Sequence, residues 1–237
     1  MLDLTGVFNK LTLEHNLNSF VVDEFKAADH VLKNITVVSN NNFDYIVFLE
    51  LDFDKLKYIN NDIQVALATN FKDHLYGLGE KTEITHFFEK NTYLVVSTKH
   101  PDEIPDKDLF KEVSVVEEDL YFFKKQIIYY SAKEFESLKI NDLNLNFTVY
   151  FNDVVSNISR YEKYLNGQDD EYKFIVKLFE KLPFMKLEIE EKELLNLDKM
   201  IADSLSEQEL EILPELLQLT SDISINNWVK TLGHKND

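Results

Sequence analysis

The chain has 237 residues, 44% of them apolar, with 18 Phe, 11 Tyr and no cysteine; it is long enough to bury a full core, too aromatic to be disordered, and unable to form a disulfide framework, a zinc-thiolate site or a thiol nucleophile. Its formal net charge is −18 and Arg160 is its single arginine, which disfavours autonomous nucleic-acid binding, because that affinity comes from neutralising phosphates. A basic partner, or one that itself holds nucleic acid, is compatible with this charge.

The opening MLDLTGVFNKL has no basic leader, and Leu4, Phe8 and Leu11 recur at helical spacing, which predicts an amphipathic helix over Leu2–Glu14. No apolar run approaches the ~20 residues of a membrane span. With the missing cysteines, this leads to the expectation of a cytoplasmic protein. Ser19–Lys26 and Asn34–Ser39 read as strands, Asn40–Asn42 as a turn, and Phe43–Leu51 as the strongest strand of this half. Alternation sends Tyr45, Val47, Leu49, Leu51 and Phe53 to one face and Asp44, Glu50, Asp52 and Asp54 to the other, with Ile46 and Phe48 among them.

From Asp54 to Phe71, Leu56, Ile59, Ile63, Ala66 and Leu67 fall at helical spacing, and Gly77 and Gly79 close the region. Glu83–Lys90 fits a helix or a strand equally. Tyr93–Ser97 is an apolar strand, followed by a loop with Pro101 and Pro105 and a β-branched run, Val113–Val116, that reads as a second strand. After the acids Glu117, Glu118 and Asp119, the segment Leu120–Tyr130 predicts a helix that is apolar almost all round.

Lys139–Asn146 alternates weakly, and a helix is expected over Asn152–Leu165. Asn166–Asp170 is polar, holds Gly167 and reads as the domain boundary. Beyond it Tyr172, Ile175, Val176, Phe179 and Leu182 form a helical stripe stopped by Pro183. Leu194, Leu197, Ile201 and Leu205 form another, Ser206 and Glu209 have capping-box spacing, Pro214 kinks or opens a helix, and Ile225, Trp228, Val229 and Leu232 make a last amphipathic piece. The expected architecture is α+β, with a mixed or antiparallel sheet and packed helices over residues 1–165 and a helical C-terminal region over residues 166–237.

No catalytic signature emerges. His15, His30, His74, His86, His100 and His234 are scattered without the i, i+4 spacing of a helical metal site, and there is no nucleophile elbow, P-loop or dinucleotide fingerprint. The acids Asp44, Glu50, Asp52 and Asp54 are the most enzyme-like group, since metal nucleases gather carboxylates at a strand end. The lysine that such a nuclease carries two residues past its Glu is here Asp52. Asp52 and Asp54 therefore read first as the end of a strand and the cap of a helix. No metal or cofactor is expected.

The aromatic segment offers core residues and partner-binding residues together, because Tyr, Phe and Trp are enriched at interface centres. Most of its rings read as core, with Tyr121 and Tyr129 as exceptions. The candidate interface residues are Tyr121, Tyr129, Lys124, Lys125 and, in the tail, Trp228, the only tryptophan.

The run Asn91-Thr92-Tyr93-Leu94, then Glu117-Glu118-Asp119-Leu120-Tyr121-Phe122-Phe123-Lys124-Lys125, then Ile128-Tyr129-Tyr130 resembles the middle component of bacterial ABC-three-component systems, of which Lamassu-type anti-phage defence is a relative. The resemblance covers about fifty residues. It departs from the family pattern at Leu120, where a Pro often follows the acids, and at Ser131, where Thr is usual. It implies a non-enzymatic adaptor that couples an SMC-like or ABC-type ATPase to an effector protein, and it supplies no catalytic residues. The readings that stand beside it are a stand-alone acidic inhibitor or nucleic-acid mimic and, less favoured, a divalent-metal nuclease built on the Asp44–Asp54 face.

Overall fold

The computed structural model describes residues 3–39, 44–77, 88, 90–138, 140, 145–188, 200, 204–206, 209, 212 and 222–233. The readings at Asn40–Asn42, at Gly79, over most of Glu83–Lys90, Lys139–Asn146 and the Leu194/Leu197/Ile201 stripe, and at Pro214 lie outside these residues. Contacts divide the chain into two units, Met1–Glu188 and Ile189–Asp237.

In the first unit the opening helix forms as α1 (Leu4–Glu14), capped by Asp3, whose carboxylate accepts the Gly6 N–H at 2.8 Å. Leu4, Val7, Phe8 and Leu11 are buried, and Phe8 stacks on Phe48 at 4.2 Å between centroids. The strands β1 (Asn18–Ala27), β2 (His30–Ser39) and β3 (Tyr45–Glu50) form an antiparallel meander. A 3₁₀ turn (Phe53–Tyr58) and a π-helical turn (Ile59–Ile63) lead into α2 (Gln64–Gly77). Then follow β4 (Thr92–Lys99), α3 (Asp106–Glu117) and β5 (Lys124–Tyr130).

The five strands lie in chain order, with β3, β4 and β5 parallel. The sheet is therefore mixed, as the α+β reading anticipated. Its two parallel crossovers, through α2 and α3, both move towards β5, so a common handedness puts both helices on one face. Ala66, Leu67, Phe71 and Leu75 of α2 and Leu109, Val113 and Val116 of α3 pack there on Val37, Val47, Leu49, Val96 and Ile127. On the other face α1, α5 (Phe147–Val155) and α7 (Asp170–Lys181) pack on Val38, Ile46, Phe48, Val95, Ile128 and Tyr130. Helices α4 (Ala132–Glu136) and α6 (Ile158–Leu165) complete the unit.

Three expectations are corrected. Val113–Val116 is the end of helix α3, because Leu109, Val113 and Val116 share its buried side and that burial outweighs the strand preference of valine. Leu120–Tyr130 is a loop and a strand. The strand opens on Lys124, Lys125 and Gln126, and the apolar residues on either side of these, from the exposed loop and from the covered strand, together fill the positions of a helix buried all round. The expected helix over Asn152–Leu165 is two helices, α5 and α6, with Asn157 capping the second.

The division between units also falls later than the composition of Asn166–Asp170 implies. That polar stretch is a helix–helix turn, with Gly167 at φ +68°. Arg160 holds Asp169 in two hydrogen bonds of 2.8 and 2.6 Å and reaches Glu171 at 2.8 Å. Helix α7 then buries Tyr172, Phe174, Ile175 and Leu178 in the first unit's own core. In the second unit Ser206 and Glu209 form the predicted capping box, and the terminal piece is the helix Asp222–Gly233.

Candidate partner interface at the loop before β5

Three consecutive large apolar side chains stand in solvent between α3 and β5: Leu120 is 96% exposed, Tyr121 73% and Phe122 46%. Single exposed apolar residues are ordinary, but a contiguous run marks a contact surface. The backbone beneath them is tightly specified. Asp119 Oδ1 accepts the Tyr121 N–H at 3.1 Å, an Asx turn that starts the loop.

The centre of the arrangement is Lys125. Its side chain is fully buried, and its ammonium donates to Gln64 Oε1 at 2.8 Å, Asp119 Oδ1 at 2.8 Å, the Tyr121 carbonyl at 2.9 Å and the Phe123 carbonyl at 3.1 Å. A buried ammonium is tolerated only when its hydrogen bonds are made, so the lysine and the loop conformation depend on each other. Burial pushes the Asp119 carboxyl up, but the hydrogen bonds from Lys125 and Gln64 and the Lys125 charge outweigh this and hold it below the usual carboxylate range.

Gln64 also donates to Asp119 Oδ1 at 3.1 Å and to the Asn60 carbonyl at 2.7 Å, while Asn60 Nδ2 donates to the Val115 carbonyl at 2.9 Å. Asn60 belongs to the π-helical turn, a form that recurs at functional positions. Its buried Oδ1 has no hydrogen-bond partner among the described residues. Phe122 sits at φ +57°, the left-handed region that costs a bulky residue about 1–2 kcal/mol. A buried charge, an orphaned acceptor, a π-turn and a left-handed aromatic thus meet at one loop. Stability alone would select none of them, and such features gather where a shape is held for use.

Of the predicted interface residues, Tyr121, Lys124 and Lys125 belong to this loop and the strand it opens. Lys124 is exposed, with Nζ 5.0 Å from the Tyr93 ring centroid. Lys125 holds the loop from beneath. Tyr129 lies at the far end of β5, partly buried, with Lys177 Nζ 4.5 Å over its ring and 3.0 Å from its carbonyl. Burial pushes its hydroxyl pKa up. Trp228 is half-buried on the terminal helix of the second unit, beside exposed Ile225 and Val229. Sequence reading missed Leu120, Phe122, Gln64 and Asn60. The one local signal was Lys125 itself, a lysine at strand spacing between Phe123 and Ile127.

Of the acids weighed as a metal face, Glu50, Asp52 and Asp54 line one hollow together with Lys55 and Lys99, and Asp44 stands apart from them. Asp44 and Glu50 lie at opposite ends of β3, about 20 Å apart along an extended chain. Glu50 accepts the Tyr130 hydroxyl at 3.3 Å, and Asp52 pairs with Lys55 at 2.6 Å instead of capping the turn it precedes. Among the described residues, no three His, Cys, Asp or Glu side chains are placed to hold a metal ion. No described helix is long and apolar enough to cross a membrane.

Neither a curated protein nor a solved structure matches the chain. A family model described as ABC-three component (ABC-3C) system Middle Component 1 matches residues 20–154, more than half of the chain, including the whole sheet from Phe20 onward and the Leu120–Phe122 loop. The chain belongs to the ABC-three-component system middle component 1 family, and so is a component of a bacterial defence system.

Proposed function

We propose that this protein is a cytoplasmic, non-enzymatic adaptor that couples the ATPase of its three-component system, of the SMC-like or ABC type, to the system's effector. The observation that carries this is the family match over residues 20–154. It is supported by a contact surface, Leu120–Phe122, built on a buried scaffold inside the matched region. Trp228 is a second anchor for a partner, independent of the loop. The nucleic-acid mimic reading needs acids laid out in rows, whereas Asp119, Glu134, Asp169 and Glu171 are engaged with Lys125, Lys177 and Arg160.

The test is co-expression of the three components of one system. A complex containing all three, in which the effector responds to ATP hydrolysis only when this chain is present, is the expected result. An effector that responds to the ATPase equally well without this chain ends the adaptor reading. Plasmid cleavage with Mg²⁺ or Mn²⁺ that Asp52→Ala abolishes would favour a nuclease instead.

A further inference from the structure

We infer that Leu120, Tyr121 and Phe122 form a rigid knob that seats in an apolar cleft of one partner protein, with a basic side chain at the rim of that cleft facing Glu118. This rests on the adaptor reading and gives that reading a surface. The charge argument comes from three successive acids. Glu117 is bound by Lys181 Nζ at 2.7 Å and Asp119 by Lys125 Nζ at 2.8 Å. Glu118 between them is exposed and has no ion-pair partner among the described residues. It stands at the base of the knob, so a cleft enclosing the knob desolvates its surroundings and favours a cation opposite it.

The partner does not add a strand. Although β5 is an edge of the sheet, its outward Ile127 N–H donates to Glu117 Oε1 at 2.7 Å and its Tyr129 carbonyl accepts from Lys177. Two of the groups that a new strand would pair with are already bound to side chains. A lipid surface is also disfavoured, since a net charge of −18 repels an anionic bilayer. The relief is wrong for a flat surface as well. Past Lys124, at the same end of the sheet, Tyr93, Ile46, Val38 and Leu17 line a hollow of about 390 Å³. A convex knob beside a hollow complements a shaped protein surface.

Rigidity is part of the inference. A loop held by Lys125 and the Asx turn loses little freedom on docking, which favours affinity without extra contact area. Lys125 is thus a positioning residue, touching no partner and fixing the atoms that do.

The experiment uses the full chain, with the ATPase and the effector of its own system purified separately, and measures each binary affinity. Leu120→Ser/Tyr121→Ser is expected to weaken binding to one component about a hundredfold while leaving the other unchanged, as for paired central anchors. Both side chains are exposed, so an unchanged melting temperature is expected. Lys125→Met keeps the knob residues but frees the loop, and is expected to weaken the same binary affinity about tenfold. Glu118→Lys is expected to weaken it further as salt is lowered, the signature of a basic rim.

If the wild type binds a component and the double variant binds it within threefold, the knob inference fails and the adaptor reading stands. If the wild type binds neither component, both fail. Co-sedimentation of wild type, but not the double variant, with phosphatidylcholine or phosphatidylserine vesicles would make the loop a lipid contact and overturn the inference.

Discussion

At the start of β5, Leu120, Tyr121 and Phe122 stand in solvent on a loop tied down from beneath, while at its end Tyr129 and Tyr130 are drawn inward and covered. Both ends use a lysine and an acid. At the start, Lys125 is the buried partner and the chain it organises is presented outward. At the end, the buried partner is Glu134, and it pulls helices together. Its side chain is 2% exposed and accepts from Lys177 at 3.0 Å, Lys173 at 2.9 Å and the Ser131 N–H at 2.9 Å, so α4 and α7 close over the tyrosines. The same polar pairing stabilises packing at one end and fixes a surface at the other. The difference lies in whether the tied element is a helix that buries its apolar side or a loop that holds its apolar side chains out in solvent.

The sharpest way to break this comparison is Glu134→Ala. It removes the Ser131 N–H bond, one of the two reciprocal bonds of the α4 capping box, and leaves the Lys177 charge without its carboxylate, so a loss of about 3 kcal/mol is expected, or roughly 10 °C in melting temperature. Burial raises the Glu134 pKa, but the Lys177 charge and the hydrogen bonds from Lys173, Ser131 and Lys177 outweigh it, and the net shift is downward. A depressed pKa contributes stability that is present above the unfolded value and lost as pH falls through the folded one. The difference between wild type and Glu134→Ala should therefore shrink in urea titrations as pH falls below about 4. A difference that persists there would assign the loss to packing.

Lys125→Met tests the other end, with a smaller expected loss of about 2 kcal/mol, because Met fills the space and Asp119 reaches water. The diagnostic change is local. Hydrogen exchange at the Tyr121 and Phe123 amides should accelerate while the amides of α4 and α7 stay as in wild type. Acceleration spread across both ends would show that the two lysine–acid pairs belong to one cooperative unit.

The comparison also explains what the sequence could disclose. Helices α1 and α7 and strands β3 and β4 were legible because a periodic apolar pattern matched a buried face, as in Tyr45, Val47 and Leu49 against Ile46 and Phe48. Strand β5 was not, because the exposed Leu120, Tyr121 and Phe122 run directly into it and, with Phe123, Ile127, Ile128 and Tyr130, make an apolar stretch of helical length. Tyr121, Lys124 and Lys125 were recognisable as aromatic and basic residues in an unusual mixture. The exposure of Leu120 and Phe122 was hidden, since it depends on Lys125 reaching Gln64, 61 residues away in the chain. No local pattern encodes that contact.

Phe122→Gly sharpens the contrast between stability and use. Glycine accepts φ +57° without the steric cost that Phe bears, but is less constrained in the unfolded chain. With the ring nearly half exposed, the balance should lie between zero and about 1 kcal/mol on the stabilising side. A loss greater than that in urea unfolding would make Phe122 a packing residue and reduce the knob to Leu120 and Tyr121.

The smallest effect is expected at the covered end, from Glu50→Gln. Burial, then the Asp3 charge, push the Glu50 carboxyl above the usual range, and hydrogen bonds from Tyr130 and Thr5 only partly oppose them. An acid with a raised folded pKa has the opposite sign to Glu134. Its contribution is fully present below the unfolded value and is lost as pH rises through the folded value, so at neutral pH the carboxylate is a small liability. Glu50 remains substantially exposed, and water screens most of that liability. Glutamine keeps an acceptor for the Tyr130 hydroxyl and removes the charge. A rise of about 1–2 °C in melting temperature is expected at pH 7 and none near pH 4. A fall at pH 7 would mean that the charged hydrogen bond to Tyr130 holds the end of β5 in place, and that both ends of the strand, and not only its start, depend on an ionised carboxylate beside an aromatic residue.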